Sequence, residues 1–238
     1  MKPLYVLGIL FVFIAVAALV YANSRFIKTV YLIARVSPYE QAGQGAGSIQ
    51  VLGDSTGYGT GATESKYSVA GLIGTNWPEY EIKNQSVNGR TIGGLLNDTA
   101  DFSGNFDVIL LQIGANDILQ QRDFETVFSE LRQLLARLEK HTDHIVMISS
   151  GNIGASPAYS GAEAVQYTQL SREYQKRITA LDAETENFIY IDLFKDPEDD
   201  PFIQKPAKYT SIDGLHPSDE GYQDWYEKIE PELERILQ

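Results

Sequence analysis

The sequence predicts an α/β fold in which a parallel sheet is covered by helices on both faces. Three observations carry this. Short apolar runs recur at residues 49–52, 106–113, 145–149 and 188–193, with a weaker one at 80–84. In the stronger runs the residues are mostly apolar consecutively rather than alternately, as in strands buried on both faces. Between them lie amphipathic stretches at helical spacing, and strands alternating with helices imply parallel pairing.

Taken in chain order, residues 4–22 come first and carry no charge. Nineteen helical residues reach about 28 Å, enough to cross a hydrocarbon core. Residues 1–22 therefore read as a transmembrane anchor, or as a signal peptide cut after Val20-Tyr21-Ala22. The run exceeds the usual ~7–15 residues of a signal core, which favours the anchor. A buried core helix is the weaker reading, because the run is apolar on every face. Lys2 precedes the run; Arg25, Lys28 and Arg35 follow it. That charge bias alone would place the domain in the cytoplasm, yet one N-terminal span is also a common export device. The expectation is an extracytoplasmic domain, secreted if the segment is cleaved.

Residues 23–47 read as a tether, with a short helix near residues 30–33 and a glycine-rich loop at 41–48. Residues 48–238 form the domain proper. Phe124, Val127, Phe128, Leu131, Leu134, Leu135 and Leu138 recur at three- and four-residue steps, the pattern of an amphipathic helix. Residues 162–184 and 219–237 read likewise.

Composition narrows the function. The chain has no cysteine, which excludes disulfides and thiolate metal sites. Its net charge is −13; without residues 1–22, 18 basic and 32 acidic residues leave −14. Such a surface suits neither nucleic acid nor electrostatic adhesion to anionic lipid.

Ser55 lies in Gly53-Asp54-Ser55-Thr56-Gly57, directly after the first strand. Ligands of parallel sheets bind beyond the carboxyl ends of the strands, where Ser55 and residues 114–117 would both lie. A serine hydroxyl needs a base within reach, and the base needs an orienting group. Of the three histidines, only His216 has a carboxylate placed to orient it, in Asp213-Gly214-Leu215-His216-Pro217. Acyl transfer also needs donors for a developing oxyanion. Gly114-Ala115-Asn116-Asp117 follows the third strand, and Asn88-Gly89 the second. Each has a plainer reading: helix N-caps for Asn116 and Asp117, a turn for Asn88-Gly89, an ordinary surface loop for Asp213 and His216. All four groups nevertheless fall where one pocket would need them.

These blocks resemble the SGNH/GDSL-type hydrolases. Gly53-Asp54-Ser55 matches the first block, with Thr56 where leucine often stands. Asn88-Gly89 matches the glycine block, Gly114-Ala115-Asn116-Asp117 the G-x-N-D block, and Asp213 with His216 the D-x-x-H block. They occur in the family's order across residues 53–216. The resemblance implies a three-layer α/β/α sandwich with a flavodoxin-like sheet. It implies Ser55 as nucleophile, His216 as base and Asp213 as its orienter. The backbone N–H groups of Ser55 and Gly89 and the Asn116 amide would form the oxyanion hole, with Asp54 and Asp117 in support.

Other readings compete for the same residues. Gly53 to Gly57 also fits G-x-S-x-G, the nucleophile elbow of α/β-hydrolases, but that fold needs several strands before the elbow. Gly57-Tyr58-Gly59-Thr60-Gly61-Ala62, with Glu79 and Glu81 downstream, fits a relaxed dinucleotide fingerprint and would make an oxidoreductase. Its first glycine lies too far from the strand, and it leaves Asp213 and His216 idle. His141, Asp143 and His144 read as a helix end rather than a metal cluster. Asp196, Glu198, Asp199 and Asp200 read as a solvated loop rather than a calcium site. Tyr58, Tyr159 and Tyr209 are candidates for substrate contact or for packing. A non-enzymatic anchored module would not require Ser, His, Asp and Asn together. The expectation is a cofactor-free, metal-free serine hydrolase of carboxylic esters or thioesters, lysophospholipase- or esterase-like. The alternative is a carbohydrate O-acetylesterase acting on envelope glycan. The substrate would be a small-molecule, lipid or glycan ester.

Overall fold

The computed structural model describes residues 23–237. The anchor or signal expected at residues 1–22 lies outside them. Among the described residues, no helix is long and apolar enough to cross a membrane.

Helix α1 (Ser24–Ile33) leads into β1 (Gly47–Gly53), the short helix α2 (Ser55–Tyr58), α3 (Val69–Asn76) and β2 (Tyr80–Asn84). Then come α4 (Ile92–Asp98), β3 (Val108–Gln112), α5 (Ala115–Leu119), α6 (Phe124–Leu138) and β4 (Ile145–Ile148). The chain closes with α7 (Gly161–Asp182), β5 (Phe188–Ile191), the short helices α8 (Pro201–Gln204) and α9 (Pro206–Tyr209), and α10 (Asp219–Ile236).

The five strands form one sheet in the order β2-β1-β3-β4-β5. Every pairing is parallel: Ile49 faces Ile82 of β2 and Val108 of β3, Ile109 faces Ile145, and Ile145 faces Phe188. The order reverses at β1, so the switch point lies between β1 and β3, where doubly wound sheets open their ligand crevice. β3, β4 and β5 are shorter than their apolar runs because residues 106–107, 113, 149 and 192–193 belong to the connections, whereas β1 extends beyond its run at both ends.

Strand side chains alternate between two cores. Ile109 and Leu111 join α4, α6 and α7 in one, with Leu131, Leu134, Tyr174 and Ile178. Val108 and Leu110 join α3 and α10 in the other, with Ile73, Tyr222, Trp225 and Ile229. The result is the expected three-layer sandwich. Seven residues of α6 are buried on one stripe, and truncating one of its leucines to alanine would cost about 2–5 kcal/mol.

Residues 23–47 do not behave as a tether. Leu32 and Val36 are buried, and Gln41 exchanges both backbone hydrogen bonds with Ile82 at 3.0 and 2.9 Å. The Gln41 amide also donates to the Trp77 and Tyr80 carbonyls. The segment is docked on the domain because its few apolar and amide groups find partners there. The expected short helix is longer, beginning at Ser24.

Candidate active site

Asp54 organises the turn after β1. Its Oδ1 accepts from the Thr56 backbone N–H and the Thr56 hydroxyl, both at 2.9 Å, capping α2, whose first residue is Ser55. Thr56 thus gives this turn a second donor that a leucine could not supply. Asp54 is fully buried. Burial pushes its carboxyl up to about 6, and the Thr56 hydrogen bonds hold it from rising further. Asn84, at the end of β2, donates to the Gly57 carbonyl at 2.9 Å and pins the other side of the turn.

Asp213 and His216 reach the same edge from the loop before α10. His216 Nε2 lies 3.0 Å from Ser55 Oγ, and its Nδ1 lies 2.7 Å from Asp213 Oδ2. The backbone N–H groups of Leu215 and His216 donate to Asp213 Oδ1 at 3.0 and 3.1 Å, so the short loop closes on its own carboxylate. Burial alone would raise the Asp213 carboxyl. The His216 hydrogen bond and charge, with those two N–H groups, outweigh it and hold the carboxyl at about 2.

Gly61 lets this loop approach. Its φ is +108°, and a Cβ there would lie 2.2 Å from the Pro217 carbonyl oxygen and 2.8 Å from His216 Cβ. Within the glycine-rich run that mimics a dinucleotide fingerprint, Gly61 is thus required by packing around His216, whereas a Cβ on Gly57 would meet Ser86 and one on Gly59 would meet Ser68.

Part of the remaining candidate set lines a cavity of about 390 Å3 that also includes Ser55 and His216. Asn88, Gly89 and Asn116 are among its walls. The Asn116 amide donates to the Arg90 carbonyl at 3.1 Å and, at 3.4 Å, to Asp54 Oδ2. Gly114, before it, has φ +118°, and a Cβ would strike the Tyr174 hydroxyl at 2.2 Å. Asn88 accepts from the Thr60 hydroxyl at 2.7 Å. Asp117 is buried behind the wall, where its Oδ2 accepts from the Ile92 N–H at 3.0 Å and its Oδ1 from Arg122 at 2.6 Å. Burial raises its carboxyl, with Arg122 drawing it back. Asp117 thereby holds the start of α4 and the loop carrying Gly89.

The rest of the lining was not apparent from sequence. Thr29 and Ile33 of α1, Phe202 of α8 and Trp225 of α10 contribute to the cavity, whereas Tyr58, Tyr159 and Tyr209 are not among its walls. Tyr159 packs on Tyr167, and Tyr209 on Phe202. His141 is engaged by the Gly104 carbonyl at 2.7 Å and the edge of Phe102. Asp200 caps α8 through the Phe202 N–H, and Asp196 pairs with Arg172. Among the described residues, no group of three or more potential ligands could hold a metal ion.

A Ser–His–Asp chain at the switch-point edge of a parallel sheet is the layout of a serine hydrolase, a class recognised by geometry rather than residue order. The chain belongs to the GDSL-like lipase/acylhydrolase family, whose model matches residues 51–223, and it is an ester hydrolase of that family. No curated protein matches the sequence. Solved structures share the fold. One is a member of the lipolytic G-D-S-L family from Veillonella parvula, with TM-score 0.62 and 19% identity over 77% of this chain and 96% of that one. Another is an acetylxylan esterase from Geobacillus stearothermophilus, with TM-score 0.59 and 19% identity over 82% and 96% of the two chains. A protein from Streptococcus pneumoniae covers 92% of this chain and 99% of its own, at TM-score 0.61 and 23% identity.

Proposed function

We propose that the protein hydrolyses carboxylic esters or thioesters through an acyl-enzyme on Ser55. The observation that carries this reading is the continuous chain Ser55 Oγ–His216 Nε2–His216 Nδ1–Asp213 Oδ2, at 3.0 and 2.7 Å. His216 takes the proton as Ser55 attacks the carbonyl carbon and returns it to the leaving alcohol or thiol. Water then attacks the acyl-enzyme with His216 again as base. Asp213 keeps Nδ1 protonated, which leaves Nε2 as the acceptor. The oxyanion is received by the Ser55 and Gly89 backbone N–H groups and the Asn116 amide. The Asn116 contact to Asp54 is long enough to yield to a charged acceptor.

The substrate is an ester with a lipid-like acyl group, as for a lysophospholipase or esterase. Support comes from the apolar cavity walls at Ile33, Leu119, Ile153, Phe202 and Trp225. A second reading, O-deacetylation of an envelope glycan, draws on the fold shared with the acetylxylan esterase and on Asn88, Asn152 and Ser156 in the same walls. Residues 1–22 anchor the chain in a membrane, or are cleaved from it, a reading supported by the uncharged run 4–22, and residues 23–238 act outside the cytoplasm.

Purified full-length protein assayed on p-nitrophenyl esters of increasing acyl length tests both parts. His216→Ala lowers kcat on the acetyl ester by several orders of magnitude; a loss under about tenfold would remove His216 from the base role. A rate that rises with chain length supports the lipid-like reading, and one confined to acetyl supports the glycan reading.

A further inference from the structure

We propose that helix α1 is part of the catalytic centre, with Thr29 as a positioning residue that holds Asp213 for His216. The inference rests on the Ser55–His216–Asp213 reading above and goes beyond it, since α1 lies outside the matched residues 51–223.

An ionised carboxylate offers about four acceptor sites. Asp213 fills them with four donors. Oδ1 takes the Leu215 and His216 N–H groups of its own loop. Oδ2 takes His216 Nδ1 and, at 2.9 Å, the hydroxyl of Thr29, which is 184 residues away in sequence. The Asp213 side chain has no solvent exposure. Without Thr29, Oδ2 would be restrained only by the imidazole it is meant to orient. A buried charge would also lose a donor, which costs more than an exposed one. Threonine supplies the one feature the task needs, a hydroxyl donor short enough to meet Oδ2 at 2.9 Å.

The helix is fixed to the same turn at a second point. One turn before Thr29, the Arg25 guanidinium donates to the Ala158 carbonyl at 2.9 Å and stands 5.4 Å from the centre of the Tyr159 ring. Ala158 N–H in turn donates to the Gly214 carbonyl at 2.9 Å, and the Ser156 hydroxyl donates to that same oxygen. Residues 213 and 214 are thus gripped from both sides, directly by Thr29 and through residues 156–158 by Arg25. Leu32 and Val36 seat the helix in the domain, and Ile33 extends it along the cavity wall.

The test compares Thr29→Val, Thr29→Ala and Thr29→Ser in the full chain, with kcat and KM measured on p-nitrophenyl acetate and thermal midpoints recorded. The Val and Ala variants lose about tenfold or more in kcat with KM within about twofold, and Ser restores kcat to within about threefold, because only the hydroxyl matters. Val keeping kcat within about twofold of wild type overturns the proposal. So does a Ser variant as impaired as Val, or a kcat loss that follows the thermal midpoint instead of the hydroxyl. Fluorophosphonate labelling of Ser55 in the wild type separates the two levels. No labelling defeats the underlying reading, whereas labelling with a flat Thr29 series defeats this inference alone.

Discussion

Replacing Asp213 with asparagine isolates the electrostatic part of the site. The carboxylate is unexposed, and its Oδ2 accepts from His216 Nδ1 at 2.7 Å and from Thr29 at 2.9 Å. Asparagine keeps one oxygen, which can still satisfy the Leu215 and His216 N–H groups at the Oδ1 position. The amide nitrogen then falls on Oδ2 and becomes a donor facing His216 Nδ1. The imidazole must accept there, so its proton moves to Nε2, the nitrogen that has to receive the Ser55 proton. Trapping the wrong tautomer in a triad of this geometry costs about 10^4 in kcat, or ~5.5 kcal/mol of transition-state stabilisation. The assay is kcat on p-nitrophenyl acetate, with a melting curve as folding control. A folded Asp213→Asn variant that retains more than about a tenth of the wild-type kcat would refute the tautomer argument and with it the orienting role of Asp213.

Two further outcomes follow from the packing around the site. Gly61→Ala must place a Cβ 2.2 Å from the Pro217 carbonyl oxygen at φ +108°, so it displaces the His216 loop; we expect a stability loss of about 1–3 kcal/mol and a lower kcat, read by thermal melts and turnover. Asp54 holds its proton up to about pH 6 in the folded protein, against 3.8 for the free side chain. The folded state therefore binds more protons than the unfolded one between those values, and the Asp54 contribution to stability falls by about 3 kcal/mol as pH rises through that window. In urea melts at pH 4 and pH 7, Asp54→Asn should gain on wild type by that order at the higher pH; an unchanged difference would show that Asp54 is not buried as a proton-holding acid.

What the sequence made legible follows from where each signal resides. Strands buried on both faces are mostly apolar on consecutive residues, so β3 and β4 stand out of the chain, as does the single buried stripe of α6, while β1 carries the buried Gln50 at its centre. The four polar blocks are local, each a few residues long, and their order alone placed Ser55, Gly89, Asn116, Asp213 and His216 at one edge. Helices α3 and α4 were not apparent. They read Val-Ala-Gly-Leu-Ile-Gly-Thr-Asn and Ile-Gly-Gly-Leu-Leu-Asn-Asp, where glycine lowers helix propensity and the segments are too short for periodicity to show. The hydroxyl caps of Ser68 and Thr91 were their only local mark. Thr29 carried no signal at all. Its partner lies 184 residues away, and a lone threonine in an apolar stretch looks like any other. Phe202 and Trp225 likewise reach the cavity only because α8 and α10 fold over the sheet edge.

The claim on which the rest depends is that Ser55 is the nucleophile, and labelling with a fluorophosphonate probe followed by peptide mass spectrometry measures it directly. The account predicts one phosphonyl adduct per chain, mapped to the peptide containing Gly53-Asp54-Ser55-Thr56-Gly57 and absent in Ser55→Ala. An adduct that persists in Ser55→Ala, or that maps to another residue in the wild type, would contradict it.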